Sequence, residues 1–398
     1  MSLRDGLFGV TIRAENLSGF TEVAMRRAAI VVLLLSLSCF AQLDKIVIPA
    51  GTPEDQALTA ISNEQDAQKK VAMYEDFVQK FSGNPAAVAY GNWQIAQSYQ
   101  TEGDLAKALS YGDKALAGMP NNLDILVSQA NLAQQMKSNS KVLDYATRGG
   151  KAYNSAAQSP KPEGMTDEQF ASRVAEAKES NKSSYEFLET TAYNAIADEK
   201  DAKTRMGYIE RFTPAFPASR FEEPVTQYAM YTLDQLHDSA RLFAYGEKAL
   251  AANPNSMPTM LLLANAYVDD VRPAGWGKAI TYSQKVIELA KADAPDADRS
   301  RKLAGGVAHS SLGWAYVRQG KFAAAVPELK TAAATLKGQD DVSYATALYR
   351  LGYAYGKANR VAEARAVLEE AVKIPGPYQA PSRDLLATVN GLRTTKPK

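Results

Sequence analysis

The sequence has almost none of the residues that build metal centres or covalent frameworks. In 398 residues there is one cysteine, Cys39, and there are two histidines, His237 and His309. A single cysteine excludes a disulfide framework and every cysteine-rich zinc site, and two histidines are too few for a multi-histidine metal centre. A dominant charge is missing too: 45 Lys and Arg against 44 Asp and Glu leave a formal charge of +1. No global excess therefore draws the chain to nucleic acid or to an anionic membrane. Strand signals are nearly absent, the β-like run being Lys45–Ile48. No Gly-rich phosphate loop, GxSxG elbow or HExxH pair appears, which removes the common nucleotide, serine-hydrolase and metalloprotease chemistries. What remains is a globular composition, 46% hydrophobic and 22% charged, enough to bury a large core.

The apolar run Ala28–Leu35 is far too short to span a bilayer, which takes roughly 18–20 residues. It follows Arg26 and Arg27 and leads through Ser36–Ala41 (SLSCFA) to Gln42. A basic start, a short apolar stretch and an alanine exit read as a secretory signal over 25–41. Met25 stands where such a signal begins, so residues 1–24 read as a non-structural extension and either Met1 or Met25 is the start. A lipid anchor on Cys39 is the lesser reading, because the leucine expected three residues before the cysteine is Leu37, one position out. Removing residues 1–41 takes away four arginines and three acids. The remainder has 41 basic and 41 acidic residues, no cysteine, and no dependence on the redox state of its compartment. The chain is accordingly expected in the periplasm or outside the cell.

Internal similarity organises the rest. Tyr111–Ala117 (YGDKALA) returns as Tyr245–Ala251 (YGEKALA), and Asp66–Phe81 aligns with Asp201–Phe216 one residue out of step, so a unit of about 134 residues is duplicated. A shorter period lies inside it. Tyr111 and Tyr145 are 34 apart, as are Ala96 and Ala130, and Tyr111, Tyr145, Tyr245 and Tyr282 each open a Y-x-x-[KR] step. Two units near the C-terminus are clearest: Leu312–Ala333 (LGWAYVRQGKFAAAVPELKTAA) and Leu351–Val372 (LGYAYGKANRVAEARAVLEEAV).

These units resemble the tetratricopeptide repeat, with Leu312, Gly313, Tyr316, Ala325, Leu329 and Ala332 on its pattern, and Leu351, Gly352, Tyr355, Ala364, Leu368 and Ala371 likewise. The resemblance implies an all-α fold: a right-handed superhelical solenoid of antiparallel helix pairs, with two duplicated halves, a C-terminal tetratricopeptide pair and a capping helix. The spacing divides the chain into a linker at 42–52, a first half at 53–160 with units near 89–122 and 123–156, and a second half at 161–304 with units near 223–256 and 257–293. Two clear units follow at 305–378, then a capping helix and a tail at 379–398. Residues 166–180 and 183–197 read as the leading helix pair of the second half. Gly305-Gly306 reads as a loop leading into a helix, and His237 as a solvated turn residue.

Members of this family bind partners in a groove lined by the first helix of each pair. Carried onto this sequence, the groove positions are Tyr90, Trp93, Gln97, Asn131, Gln134, Gln227, Tyr231, Leu261, Asn265, Trp314, Arg318, Tyr349, Tyr353 and Lys357. Aromatics beside amides and cations suit peptide recognition, although Trp93, Trp314 and Tyr353 serve equally well as covers for the seams between repeats. The lysine of the family's carboxylate clamp is missing, since Trp93, Val127, Gln227 and Leu261 hold the corresponding places. Met73–Pro85 (MYEDFVQKFSGNP) resembles repeats of bacterial envelope-assembly proteins. The acidic groups Asp269/Asp270, Asp340/Asp341 and Asp293/Asp296/Asp298 lack the order of a calcium loop. The reading is a non-catalytic exported scaffold without metal or cofactor, which binds a protein or peptide and no nucleic acid, in peripheral association with the envelope. A glycan- or peptidoglycan-binding module is the alternative. Intact-mass measurement of the exported protein tests the leader: a chain beginning at Gln42 is expected, and a retained, acylated Cys39 would replace that assignment by a lipoprotein.

Overall fold

The computed structural model describes Leu43 and residues 45–391 apart from Val271. The proposed leader and the last seven residues lie outside the described residues. Among those described there are eighteen α-helices and no strand, and the β-like run at 45–48 is irregular. The chain divides into two compact units, 1–189 and 190–398.

The first unit contains α1 (Pro53–Ser62), α2 (Ala67–Lys80), α3 (Pro85–Glu102), α4 (Leu105–Gly118), α5 (Leu123–Gln135), α6 (Asn139–Ser155), a 3₁₀ turn at Ala156–Gln158, and α7 (Asp167–Ser180). The division falls inside α8 (Lys182–Asp198). The second unit continues with α9 (Ala202–Ala215), α10 (Glu222–Gln235), α11 (Ser239–Ala252), α12 (Met257–Asp269), α13 (Ala274–Ala290) and α14 (Arg299–Arg318). It ends with α15 (Phe322–Leu336), α16 (Asp341–Lys357), α17 (Val361–Ala371) and α18 (Gln379–Gly391). Within the second unit each helix from α9 to α18 packs on the next, and α10, α12, α14, α16 and α18 also pack one on another. That is the contact pattern of stacked helix hairpins.

Local chemistry sets the helix ends. Asp66, Asn84, Asp104, Asn122, Asp201, Asp238 and Ser256 each accept a hydrogen bond from a backbone N–H of the turn that follows, satisfying donors the helix leaves open. The tight turns carry left-handed residues, Gly103, Gly320 and Asn359, in the short EGD, QG and ANR stretches at 102–104, 319–320 and 358–360. His237 occupies the second copy's counterpart of Gly103 at φ 54°, so it is a turn residue in a conformation glycine adopts more easily.

The duplication is visible helix by helix. Helices α2, α4, α5 and α6 recur as α9, α11, α12 and α13 at offsets of 134 or 135 residues. Where two helices must approach closely, both copies use glycine: a Cβ on Gly112 would lie 1.9 Å from Gln129 Oε1, and one on Gly246 would lie 2.7 Å from Leu263 Cδ2.

One expectation is corrected. Gly305 and Gly306 do not form a loop; they lie within α14, where side chains would press on Ala292 and Leu336. Helices α7 and α8 occupy the two segments read as helices at 166–180 and 183–197, and α7 falls in the first compact unit. Helix α7 packs on the 3₁₀ turn of that unit, and none of its residues is buried.

The tyrosines of the Y-x-x-[KR] step find their role between pairs. Tyr111 on α4 donates to Glu75 on α2 (2.6 Å), Tyr145 on α6 to Asp113 on α4 (2.7 Å), and Tyr282 on α13 to Glu247 on α11 (2.7 Å). Between α9 and α11 the carboxylate at the Glu75 counterpart, Glu210, instead accepts from Arg241. Each bond ties one second helix to the next. The Glu75 carboxylate beside Tyr111, with partial burial, pushes that phenol up to about 12 from its ordinary 10.0. A phenol raised on folding adds stability that is complete below its unfolded value and lost as pH climbs through the folded one. Tyr111→Phe is therefore expected to lower stability at pH 7 by about 1–2 kcal/mol. The gap to the parent protein should narrow between pH 10 and pH 12, as followed by urea unfolding; a gap independent of pH would reject the tie.

Candidate functional site

The described residues hold no group of acids, histidines and cysteines placed to bind a metal ion. His309, half-buried on α14, shares a 2.7 Å hydrogen bond with Glu328 on α15 and so links a helix pair. One opening in the second unit is a trough of about 590 Å³ across α8, α10, α12 and α14. Its floor is a repeated stripe. Pro224, Gln227, Tyr228 and Tyr231 follow helical spacing on α10, and Pro258, Leu261, Leu262 and Asn265 stand 34 residues further on at matching places of α12. Tyr193 closes one end and Val307 the other.

Four of the lining residues, Tyr193, Tyr228, Tyr231 and Asn265, are braced by neighbours. Tyr193 stacks on Phe221 with centroids 4.3 Å apart and meets Tyr228 edge-on at 6.2 Å. Tyr231 is 53% exposed, an unusual display for so large a ring. Its hydroxyl accepts from Gln235 (3.1 Å), and the buried Arg205 guanidinium lies 5.7 Å from the ring centre. Arg205 is fixed by Thr232 Oγ1 (2.7 Å), the Glu199 carbonyl (3.0 Å) and Gln235. Asn265 donates to the Leu261 carbonyl (3.1 Å) and accepts from Ser311 (2.8 Å), which locks its amide. Burial, then the neighbouring Tyr228, raises the Tyr193 phenol. The trough is lined by aromatic, apolar and two amide side chains, with no acidic or basic one among them.

Four of the groove positions carried over by resemblance, Gln227, Tyr231, Leu261 and Asn265, line this trough together. Trp314, Tyr349 and Tyr353 pack instead on one another and on Tyr378, with centroids 5.2–6.5 Å apart. The buried Arg350 guanidinium lies 5.6 Å from the Trp314 ring and donates to Ser310 (3.2 Å); burial pushes it below the usual arginine range. Arg318 lies against Trp276 at 5.5 Å and Lys357 against Tyr353 at 5.5 Å. These residues cover seams between pairs. In the first unit, Tyr90 packs edge-on to Tyr74 against the core (6.5 Å), Trp93, Gln97 and Asn131 are half-buried, and Gln134 is exposed.

The trough residues missed from sequence are Tyr193, Pro224, Tyr228, Pro258, Leu262 and Val307. Four of them carry a usable signal, the 34-residue recurrence of Pro224 and Tyr228 as Pro258 and Leu262 beside positions already chosen. Tyr193 and Val307 come from flanking helices with no such register.

A family profile described as "Tetratricopeptide repeat" matches residues 306–330, and a second of the same description matches 345–376. The C-terminal part of the chain carries tetratricopeptide repeats. No curated protein sequence matches it. Among solved structures it is similar to a thermophilic tetratricopeptide protein of Thermus thermophilus, at 20% identity over 48% of this chain and 91% of that one (TM-score 0.34). A tetratricopeptide repeat protein from Parabacteroides merdae aligns at 12% identity over 80% and 99% (TM-score 0.35), and the TPR2AB-domain:pHSP90 complex of yeast Sti1 at 12% over 76% and 99% (TM-score 0.27). The two profile matches cover α14 to α17, adjoining the trough rather than spanning it. The seam and the trough are separable by stability. Trp314→Ala is expected to cost about 3 kcal/mol by leaving a cavity among packed rings, and Tyr231→Ala less than about 0.5 kcal/mol at its exposed position. Equal losses in chemical denaturation would contradict the division.

Proposed function

We propose that this protein is a non-catalytic scaffold of the bacterial cell envelope, exported by its leader, that captures an uncharged apolar segment of a partner protein in the trough of α8, α10, α12 and α14. The observation that carries the reading is the exposed Tyr231 in a wall of tyrosine, proline and leucine that bears no charge. Burying a charged side chain against such a wall leaves it unpaired, which is strongly unfavourable. An extended segment with proline, aromatic or aliphatic side chains loses little on desolvation and gains the area. Gln227 and Asn265 supply amides to a peptide backbone laid along the stripe. Helices hold the lining in place, so little ordering is lost on binding.

Compartment and export rest on the basic, short and alanine-ended leader. An enzyme reading finds no support in the trough, which contains no carboxylate, imidazole, thiol or ammonium group and hence no general base at neutral pH. Aromatic faces and amides would also receive a sugar polymer, and the test separates the two ligands.

A displayed peptide library panned on the whole mature protein is expected to return uncharged segments rich in proline and large apolar residues. Their affinity should be nearly independent of salt, because no ion pair is made. Leu261→Glu is expected to abolish binding and Tyr231→Ala to weaken it at least about tenfold, with helicity unchanged. Selection of charged peptides, or retention of peptidoglycan fragments with no peptide enriched, would refute the assignment.

A further inference from the structure

The two copies of the duplicated plan part company at one junction. In the first, four residues, 81–84, separate α2 from α3, which begins at Pro85. There the end of α4 closes on the start of α3: a Cβ on Gly118 would lie 3.1 Å from the Pro85 carbonyl. In the second copy Ala252 stands in place of Gly118, and the 134-residue offset puts the start of the equivalent helix at Ser219. Helix α10 instead begins at Glu222, nearly one turn late. Its N-cap, Phe221, makes no side-chain capping bond, and Ala218 in the preceding loop holds a left-handed φ of 55°. Both features are locally unfavourable.

The missing turn leaves a hole. A cavity of about 190 Å³ opens among α9, α10 and α11, walled by Phe212, Phe216, Val225 and Tyr245. Phe212, Phe216 and Val225 are almost fully buried. It adjoins a polar recess of about 250 Å³, with which it shares Ser219, Glu222, Thr226, Ala249 and Ala252. In the recess Glu223 accepts a hydrogen bond from Ser256 (2.7 Å), and Glu222 stands beside it at the start of α10. Two cations lie at the rim, and one of them is engaged elsewhere. Arg220 donates to Thr190 (2.5 Å) and lies against the Phe221 ring at 4.9 Å, and Lys248 is exposed at the mouth of the apolar part.

We propose that this junction binds a small amphiphilic amine, with one six-membered ring in the apolar cavity and its ammonium group between the Glu222 and Glu223 carboxylates. The size fits, because an apolar cavity of about 150 Å³ accommodates a benzene ring. The recess fits the head, because an ammonium group donates in three directions to carboxylate and hydroxyl acceptors. This site is independent of the tyrosine trough. It shares no lining residue with it.

The test is titration of the whole mature protein with 2-phenylethylamine, followed by saturation-transfer NMR and calorimetry. Saturable binding with a dissociation constant of about 1 mM is expected for a ligand of this size. The carboxylate analogue 3-phenylpropionate should bind at least about tenfold more weakly. Ala252→Leu fills the shared passage and should abolish binding. Glu222→Gln with Glu223→Gln, both exposed and safe for folding, should weaken the amine about tenfold and leave helicity intact. Tyr231→Ala should leave it unchanged. No saturable binding by the parent protein, undiminished binding by the Ala252 or the double glutamate variant, preference for the carboxylate analogue, or loss of binding in Tyr231→Ala would each overturn the proposal.

Discussion

A helix pair of this chain has no interior of its own, so each pair depends on the bond that holds the next one in register. That bond is a carboxylate on one second helix meeting a hydroxyl or guanidinium group on the following one: Glu75 with Tyr111, Asp113 with Tyr145, Glu210 with Arg241, Glu247 with Tyr282. Apolar contact alone is indifferent to sliding, since one leucine satisfies another at many offsets. A hydrogen bond to a partly buried charge is satisfied at one offset only and is costly to leave unmade. Glu247 shows how far this can be loaded. Burial pushes its carboxyl upward, yet donation from Lys278, Tyr282 and Tyr267 together holds it below the usual carboxylate range.

Registration has a second component, the closeness that glycine allows. Gln129 is buried and donates to the Leu109 carbonyl (2.9 Å) and to Asp113 (3.2 Å), across the face of Gly112. In the second copy Leu263 and Gly246 meet at the same places. The same backbone approach is therefore held by a polar network in one copy and by apolar packing in the other. Duplication preserved the spacing and released the side chains, and both proposed binding surfaces lie where the second copy used that freedom. Its stripe has Pro258 and Leu262 where the first copy has Asp124 and Ser128, and Tyr228 where the first has Gln94.

The periodic part of this architecture is legible in the sequence, and its departures from periodicity are not. Pro53 at a helix start, the turns at Gly103, Gly320 and Asn359, and the recurrence of helices at 134 residues all follow from local rules or from alignment of the chain with itself. The groove positions of the second copy, Gln227, Tyr231, Leu261 and Asn265, come from the family resemblance carried along the repeat register, and they lie in the trough. Register fails for Trp314, Tyr349 and Tyr353. Whether an aromatic on the first helix faces solvent or a neighbour depends on what the next pair presents, here Arg350 and Tyr378. Gly305 and Gly306 misled for a related reason. Paired glycines suggest a turn, but inside α14 they answer the approach of Ala292 and Leu336, which no local pattern announces.

The uncharged trough also gains meaning from its setting in a chain with nearly equal numbers of acids and bases. A surface balanced in this way exerts little long-range pull on any partner, so discrimination has to come at contact. Contact selectivity of the apolar kind is modest per group and accumulates only if many groups fit together. A floor of eight residues in two matched rows, fixed from behind by Arg205, Phe221 and Ser311, meets that need better than scattered aromatics would. The proposed recognition draws on the spacing of a repeated stripe rather than on any single side chain, and that spacing is what the inter-pair bonds maintain.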